Sequence, residues 1–273
     1  MKTVDLHIHT TASDGSLTPD ALLKEILEKS VPIFSITDHD SVASISEMAQ
    51  LTQEYPVQFV PGVEVSVAYG DQELHILAYN VDVEDAVLID IITENQKIRK
   101  AHNDALIRFV GEKHEHISFE DYVNYEEDLS LGGWKSLNYL VEKGVSAHLG
   151  AFFELVRDFG MPLKFQDYDK VIPALSKQGY VLVLAHPPAY FKGERLKETL
   201  LDELVELGIR GIECYSPYYK NDEERAYYID YCKRNDLAIT SGSDYHGTFI
   251  ASRQMCLHCA EQSELNLKLI LKA

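Results

Sequence analysis

Short apolar runs alternate with amphipathic stretches along the first third of the chain: TVDLHI, PDALLKEILEKS, VPIFSIT, SVASISEMAQLTQ and VQFVPGVEVSVA follow one another in order. Short apolar runs read as buried strands and apolar positions at helical spacing read as helices, so the pattern predicts β-α units around a mostly parallel sheet. The rhythm stops from Glu84 to Asp158, where AVLIDIITENQKIRKAHNDALIRFVGEKH, SFEDYVNYEED, GGWKSLNYLVEKG and SAHLGAFFELVRDFG predict successive helices with glycines at their joints. It resumes with DKVIPALSKQG before YVLVLAHP, LKETLLDELVELG before IRGIECY, and DEERAYYIDYCKRND before LAITSGSDYH. The expected fold is α/β: one barrel-like domain built from residues 1–83 and 159–273, with a helical insertion at 84–158. The tail, SELNLKLILKA, predicts a closing helix.

Alternation within the strands predicts where the polar groups point. In the first strand Val4, Leu6 and Ile8 share one face, and Asp5, His7 and His9 share the other. At the end of a barrel strand, imidazoles two residues apart can both reach one ion in the common pocket; the plainer alternative is two exposed histidines near a frayed terminus. The same chemistry recurs at later strand ends, as Asp38, His39 and Asp40, then His186, Glu213, Asp244 and His246. Buried, unpaired carboxylates and imidazoles cost free energy that metal coordination offsets. GVEVSVAYGDQELHILAY reads as two strands about Tyr69-Gly70-Asp71-Gln72, and an even loop places Glu64 and His75 on one face, where Glu64 can bridge two ions.

Asp14 lies in a turn before a helix with Thr18 as N-cap and Pro19 at its first position, and is a further oxygen ligand candidate. Asp38 and Asp40 either orient a histidine or move a proton, with Asp38 ranked as the outer residue. His102, His114, His116 and His148 in the insertion, and His258 beyond the last strand, read as surface or packing residues.

Composition narrows the partners. The chain has 273 residues, with 25 Lys+Arg against 44 Asp+Glu and a formal charge of −19, which disfavours duplex nucleic acid and anionic membranes. Any anionic substrate must be attracted locally. No apolar run approaches the ~20 residues that cross a bilayer and no signal core is present, so the expected location is cytoplasmic. The four cysteines are Cys214, Cys232, Cys256 and Cys259. The last two spell CxxC, which is half of a structural zinc site, and neither a metal nor a redox role is expected for it. Oligomeric state cannot be read from the sequence.

The ordered set His7-Ile8-His9, Asp14, Thr37-Asp38-His39-Asp40, Gly62-Val63-Glu64, His75, Ala185-His186-Pro187, Gly211-Ile212-Glu213 and Ser243-Asp244-Tyr245-His246 resembles the PHP superfamily, the polymerase and histidinol phosphatase domain. The resemblance runs from Met1 to about Arg253 and implies a distorted (β/α)7 barrel with up to three divalent ions, manganese, iron or zinc. Carried over, His7, His9, Glu64 and Asp244 would hold the first ion. Glu64, His75 and His186 would hold the second, and Asp14, His39 and His246 the third. It is similar to the stand-alone branch with a helical insert, whose activities include phosphate removal from nucleotide 3′,5′-bisphosphates and 5′-to-3′ trimming of short RNA. Where those members carry an Arg and a His early in the insert, this sequence has Gly133-Trp134-Lys135-Ser136-Leu137-Asn138. Trp134 could stack on a base and Lys135 could hold a phosphate.

The expected function is metal-dependent hydrolysis of a phosphomonoester or phosphodiester, of a nucleotide or short oligonucleotide. Clustered dications ready a water for in-line attack and make a cationic pocket in an acidic protein. Asp38, Asp40 and Asp244 are the candidate catalytic carboxylates, and Trp134, Lys135, Lys192, Arg195 and Arg253 the candidate substrate contacts. An amidohydrolase-like C–N hydrolase, or a metal-binding regulatory domain without turnover, are the alternatives.

Overall fold

The computed structural model describes residues 3–271. Seven strands follow in sheet order β1 to β7: β1 (Val4–Asp5), β2 (Ile33–Ile36), β3 (Gln58–Tyr69), β4 (Gln72–Tyr79), β5 (Val181–Leu184), β6 (Ile209–Tyr215) and β7 (Ala238–Ser241). β4 is antiparallel to both neighbours, and the other neighbouring pairs are parallel. The β3–β4 hairpin turns at Gly70-Asp71, with Tyr69 opposite Gln72. Gly70 takes φ 60°, a left-handed turn position that glycine adopts without penalty. The barrel closes where Leu6 N–H donates to Ser241 O at 2.8 Å and His9 N–H donates to Tyr245 O at 2.9 Å.

Helices α1 (Pro19–Glu28) and α2 (Ile45–Leu51) flank the first strands, and α7 (Tyr168–Lys177), α8 (Glu198–Leu207) and α9 (Asp222–Arg234) flank the last. Thr18 caps α1 through Ala21 N–H, with Pro19 at the first position. Between β4 and α7 run α3 (Ala86–Lys113), α4 (Phe119–Asn124), α5 (Lys135–Glu142) and α6 (Leu149–Phe159). α3 serves two cores. Leu88, Ile91 and Ile92 pack on the barrel's outer face with Val65, Ile76 and Leu175, while Leu106, Ile107 and Val110 pack with Leu137, Tyr139 and Phe152. At 28 residues it is about 42 Å long, enough to carry one end well beyond the strands.

Two expectations are corrected. The closing helix is absent among the described residues. Instead Asn266 pairs with Ile239 in an antiparallel bridge, and its amide donates to Leu237 O at 2.9 Å. Leu267 and Ile270 then plug the barrel interior against Val4, Leu6, Leu77 and Tyr79. Open backbone groups at the sheet end and an apolar barrel floor outcompete helical propensity there. The first strand's alternation also breaks. Regular pairing covers only Val4 and Asp5, so Ile8 joins Leu22 and Phe34 in a different core from Val4 and Leu6, and the Asp5 carboxylate bonds Ser243 and the His7 backbone N–H instead of joining the His7 and His9 rings. No helix among the described residues is long and apolar enough to cross a membrane.

Candidate metal centre

The C-terminal ends of the strands deliver nine side chains to one place, and Glu64 is at its centre. Glu64 lies on β3 with both faces of the strand covered, fully buried. His75, opposite Ser66 on β4, is its diagonal cross-strand neighbour, and its Nδ1 lies 3.0 Å from Glu64 Oε1. His186 Nε2 is 3.1 Å from the same oxygen. The other oxygen, Oε2, lies 3.1 Å from His7 Nε2, 3.3 Å from His9 Nε2 and 3.1 Å from His39 Nδ1. Asp244 Oδ1 adds a second carboxylate, 3.4 Å from His7 Nε2 and 3.1 Å from His9 Nε2. On the far side of His9, Asp14 Oδ1 is 3.5 Å from His9 Nδ1 and 3.4 Å from His246 Nε2.

These groups fit metal ions better than they fit one another. His7 Nε2 and His9 Nε2 face each other at 3.1 Å, and Glu64 Oε2, His39 Nδ1 and His75 Nδ1 are buried with no aligned hydrogen-bond partner. A buried polar atom left without a partner costs about 1–3 kcal/mol, so several at one point demand an occupant. Electrostatics point the same way. Burial opposes charge on His7, but Glu64, Glu213 and Asp244 outweigh it and hold its pKa well above 6.5. His9, despite burial, is raised to about 9 by Asp244 and Glu64, and His75 to about 10 by Glu64 and Glu73. The carboxylates draw protons onto the imidazoles where a dication would otherwise supply the charge. All donors are nitrogen or oxygen, the set that suits manganese, iron or zinc.

At this centre three groupings are tight enough to hold an ion: His7, His9, Glu64 and Asp244; His9, Asp14, His39 and His246; and His39, Glu64 and His75. The first is the expected set. The second adds His9 to Asp14, His39 and His246, and in the third His39 stands where His186 was expected. His186 and Asp244 both take left-handed backbone, φ 26° and 51°, which costs on the order of 1–3 kcal/mol each. Contacts hold them there: His186 N–H donates to Glu213 Oε2 at 2.8 Å, and Asp244 O lies 2.7 Å from His246 Nδ1.

Several residues orient the donors. Glu213 Oε1 lies 3.0 Å from His7 Nδ1, fixing the ring so that Nε2 faces Glu64. The sequence placed Glu213 at a strand end but gave it no partner. Glu213→Gln is expected to weaken metal binding about 10–100-fold, the range for an orienting partner of a ligand, as read by chelator competition. Asp38 accepts from Thr10 N and Oγ1, both at 2.7 Å, from Ser13 Oγ at 2.7 Å and from Ser44 Oγ at 2.5 Å. It is fully occupied in tying down the loop that carries Asp14, so it has no free oxygen for proton transfer.

Asp40 is corrected as a catalytic candidate. Its carboxylate turns away from the cavity to α3, accepting from Asn95 Nδ2 at 2.7 Å, Ser66 N at 3.1 Å and Arg99 Nη2 at 3.2 Å. Its backbone, at φ 47°, turns the side chain back toward the helix. Asp40→Ala breaks a buried pair and is expected to cost about 3 kcal/mol of stability, checked by the urea midpoint.

A cavity of about 510 Å³ opens over the donors. Trp134, Phe152, Phe153 and Phe249 form one wall, Trp134 meeting Phe152 edge-on at 5.5 Å. Arg253 lines it too, bonded to Asp244 Oδ2 at 2.5 Å, and Tyr218 OH donates to the same oxygen at 2.7 Å. Of the other candidate contacts, Lys135 reaches Val123 O at 3.0 Å and Arg195 lies over Tyr227 at 4.2 Å, both away from the cavity. The Lys192 side chain is outside the described ones. Sequence reasoning missed Arg99, which lines the cavity from α3, and set aside His102, which lines it while its Nε2 lies 3.0 Å from Met161 O. Asn95, Arg99 and His102 recur at helical spacing on one face, and that spacing was the available signal. Arg99 and His102 thus line the cavity from α3, whereas the sequence reading looked for substrate contacts at Gly133–Asn138. Tyr218 had no sequence signal at all.

The model of the PHP domain matches residues 5–217. The chain belongs to the PHP family. This PHP protein is 26% identical over 252 residues to the 5′-3′ exoribonuclease Rnm of Escherichia coli K12, covering 89% of this chain and 84% of that one. It is 26% identical over 253 residues to the 3′,5′-nucleoside bisphosphate phosphatase of Chromobacterium violaceum, covering 90% and 88%. Its fold superimposes on a solved structure from Bifidobacterium adolescentis assigned as a metal-dependent phosphoesterase, with TM-score 0.83 and 23% identity over 96% and 94% of the two chains. The PHP protein is a metal-dependent phosphoesterase.

Proposed function

We propose that the protein hydrolyses the phosphate ester of a nucleotide or the end of a short RNA, using up to three manganese, iron or zinc ions. The observation that carries this is the meeting, around Glu64, of partnerless donors with a cavity that is aromatic on one side and lined by Arg99 and Arg253. A base fits the aromatic wall, and arginine suits phosphate because its planar fork presents paired donors. The names of the Escherichia coli and Chromobacterium violaceum relatives support the same substrate class. We further propose that residues 84–158 act as a cap on the barrel of 1–83 and 159–273, and that the protein works in the cytoplasm.

In this reading His7, His9, Glu64 and Asp244 would hold the first ion, Glu64 and His75 with His186, whose Nε2 lies 3.1 Å from Glu64 Oε1, the second, and Asp14, His39 and His246 the third. Bound dications supply Lewis-acid stabilisation of phosphate charge and a water of lowered pKa. The chain's own groups do the rest. Glu64 spans two subsites with its two oxygens, and Glu213 and Asp38 fix donor orientation. Tyr218 and Arg253 occupy Asp244 Oδ2, leaving Oδ1 facing the histidine pair. The aromatic wall excludes water from one side of the substrate.

The test is product release from 3′-phosphoadenosine 5′-phosphate and from short 5′-phosphorylated RNA, after chelation and after return of manganese. Orthophosphate or mononucleotide release that depends on returned metal is the expected result. No release from either substrate, or amine release from a C–N substrate panel instead, overturns the reading.

A further inference from the structure

Reactive side chains meet at a second place, outside the metal centre, in the turn Cys256-Leu257-His258-Cys259 that follows β7. We propose that Cys256 and Cys259 form a reversible dithiol–disulfide site, oxidised by exchange with a small-molecule disulfide of the glutathione class. Cys259 N–H donates to Cys256 O at 3.2 Å, which closes a tight turn. Such a turn keeps its end Cα atoms within about 7 Å, close to the span a disulfide bridges. The two sulfurs and an oxygen of Asp5 lie within 4.8 Å of one another. Both cysteines are half-buried and reachable, whereas Cys214 and Cys232, 3.9 Å apart, are sealed in the core.

The two thiols differ in a way that assigns their roles. The neighbouring Cys256 thiol, followed by burial and the Asp5 charge, holds the Cys259 pKa well above 9, so Cys259 keeps its proton and is taken as the second sulfur to react. A thiophilic cation fits less well. The Asp5 carboxylate already accepts from Ser243 N at 2.9 Å, Ser243 Oγ at 2.6 Å, Cys256 N at 3.0 Å and His7 N at 3.4 Å, two on each oxygen, which leaves little capacity for an ion.

The exchange balances. Cys256 thiolate attacks one sulfur of the oxidant and expels the first glutathione thiolate. Cys259 then gives its proton to solvent, attacks the Cys256 sulfur and expels the second. Two protein thiols are oxidised and one small disulfide is reduced to two thiols; excess glutathione runs the sequence backward. The turn is also wired to the metal centre, because Asp5 joins Cys256 N–H to Ser243, the neighbour of Asp244. Closing the bond fixes the Cys256 backbone, whose N–H shares Asp5 with Ser243, and is therefore expected to slow release of an ion held at Asp244.

The experiment equilibrates manganese-loaded full-length protein across ratios of reduced to oxidised glutathione and maps the linked peptides. The expected product is a Cys256–Cys259 link that dithiothreitol reverses. Cys259→Ser is expected to accumulate a mixed disulfide at Cys256, and Cys256→Ser to stay free of glutathione. The oxidised protein is expected to lose manganese to a chelator several-fold more slowly than the reduced one. No link at any ratio, a link at Cys214–Cys232 in its place, or modification of Cys259 in Cys256→Ser at the wild-type rate overturns the site. Equal rates of manganese loss in both forms overturn its coupling to Asp5.

Discussion

Glu64→Gln lowers turnover by about a thousandfold or more and reduces bound metal, while the far-UV spectrum stays that of the wild type. Glu64 Oε2 stands 3.1–3.3 Å from nitrogens of His7, His9 and His39, and Oε1 stands 3.0–3.1 Å from nitrogens of His75 and His186. Among the described residues no other carboxylate touches so many imidazoles. A glutamine keeps the shape but removes the charge that binds two subsites together. One of its two atoms also becomes an N–H donor facing groups that must themselves bind metal. Losing ~4 kcal/mol of transition-state charge stabilisation corresponds to about three decades in rate. Metal analysis alongside steady-state turnover checks this, and wild-type values for both would remove Glu64 from the centre.

Gly242→Ala is the second large effect, and it acts on the fold and the site together. A Cβ at this position would stand 2.2 Å from His7 Cβ and 2.3 Å from Glu213 Oε1. Neither neighbour can yield freely. His7 is fully buried and bonded to Glu213, and the adjacent backbone carries the Leu6 N–H to Ser241 O bond that closes the barrel. Relief requires either parting β7 from the first strand or pushing His7 off Glu64. Overpacking of this kind costs about 1–3 kcal/mol or more, and the donor that moves is a metal ligand candidate, so turnover falls with stability. A urea titration and an activity assay on one preparation read both. A midpoint and rate matching the wild type would show that the gap between β7 and His7 is wider than described.

The barrel and much of the donor set were legible because both are written as local patterns. Strand and helix periodicities alternate outside Glu84–Asp158, and most donors alternate within an apolar run or closely follow one, as His7, His39, Glu64, His75 and His186 do. The hairpin at Gly70-Asp71 put Glu64 and His75 on one face by parity alone. What was not legible depends on which partner wins a side chain. Asp38 and Asp40 are two residues apart in one motif, yet one is spent on the Asp14 loop and the other on Arg99 of a helix nearly sixty residues away. Tyr218 and Arg253 meet only because two loops converge on Asp244 Oδ2. The tail reads as a helix because its leucines are well spaced for one, and only the barrel's open end explains why it is spent as a plug. Lys135 and Arg195 illustrate the same limit from the other side: a cation near a predicted site carries no direction until the fold gives it one.

The central claim is that these side chains converge to hold dications, and anomalous diffraction from crystals of active, manganese-loaded protein tests it most directly. The account predicts strong peaks between Glu64 and the nitrogens of His7, His9, His75 and His186, with a further peak beside Asp14 and His246. Active crystals with no peak within coordination distance of Glu64, or with manganese bound only elsewhere, would contradict it.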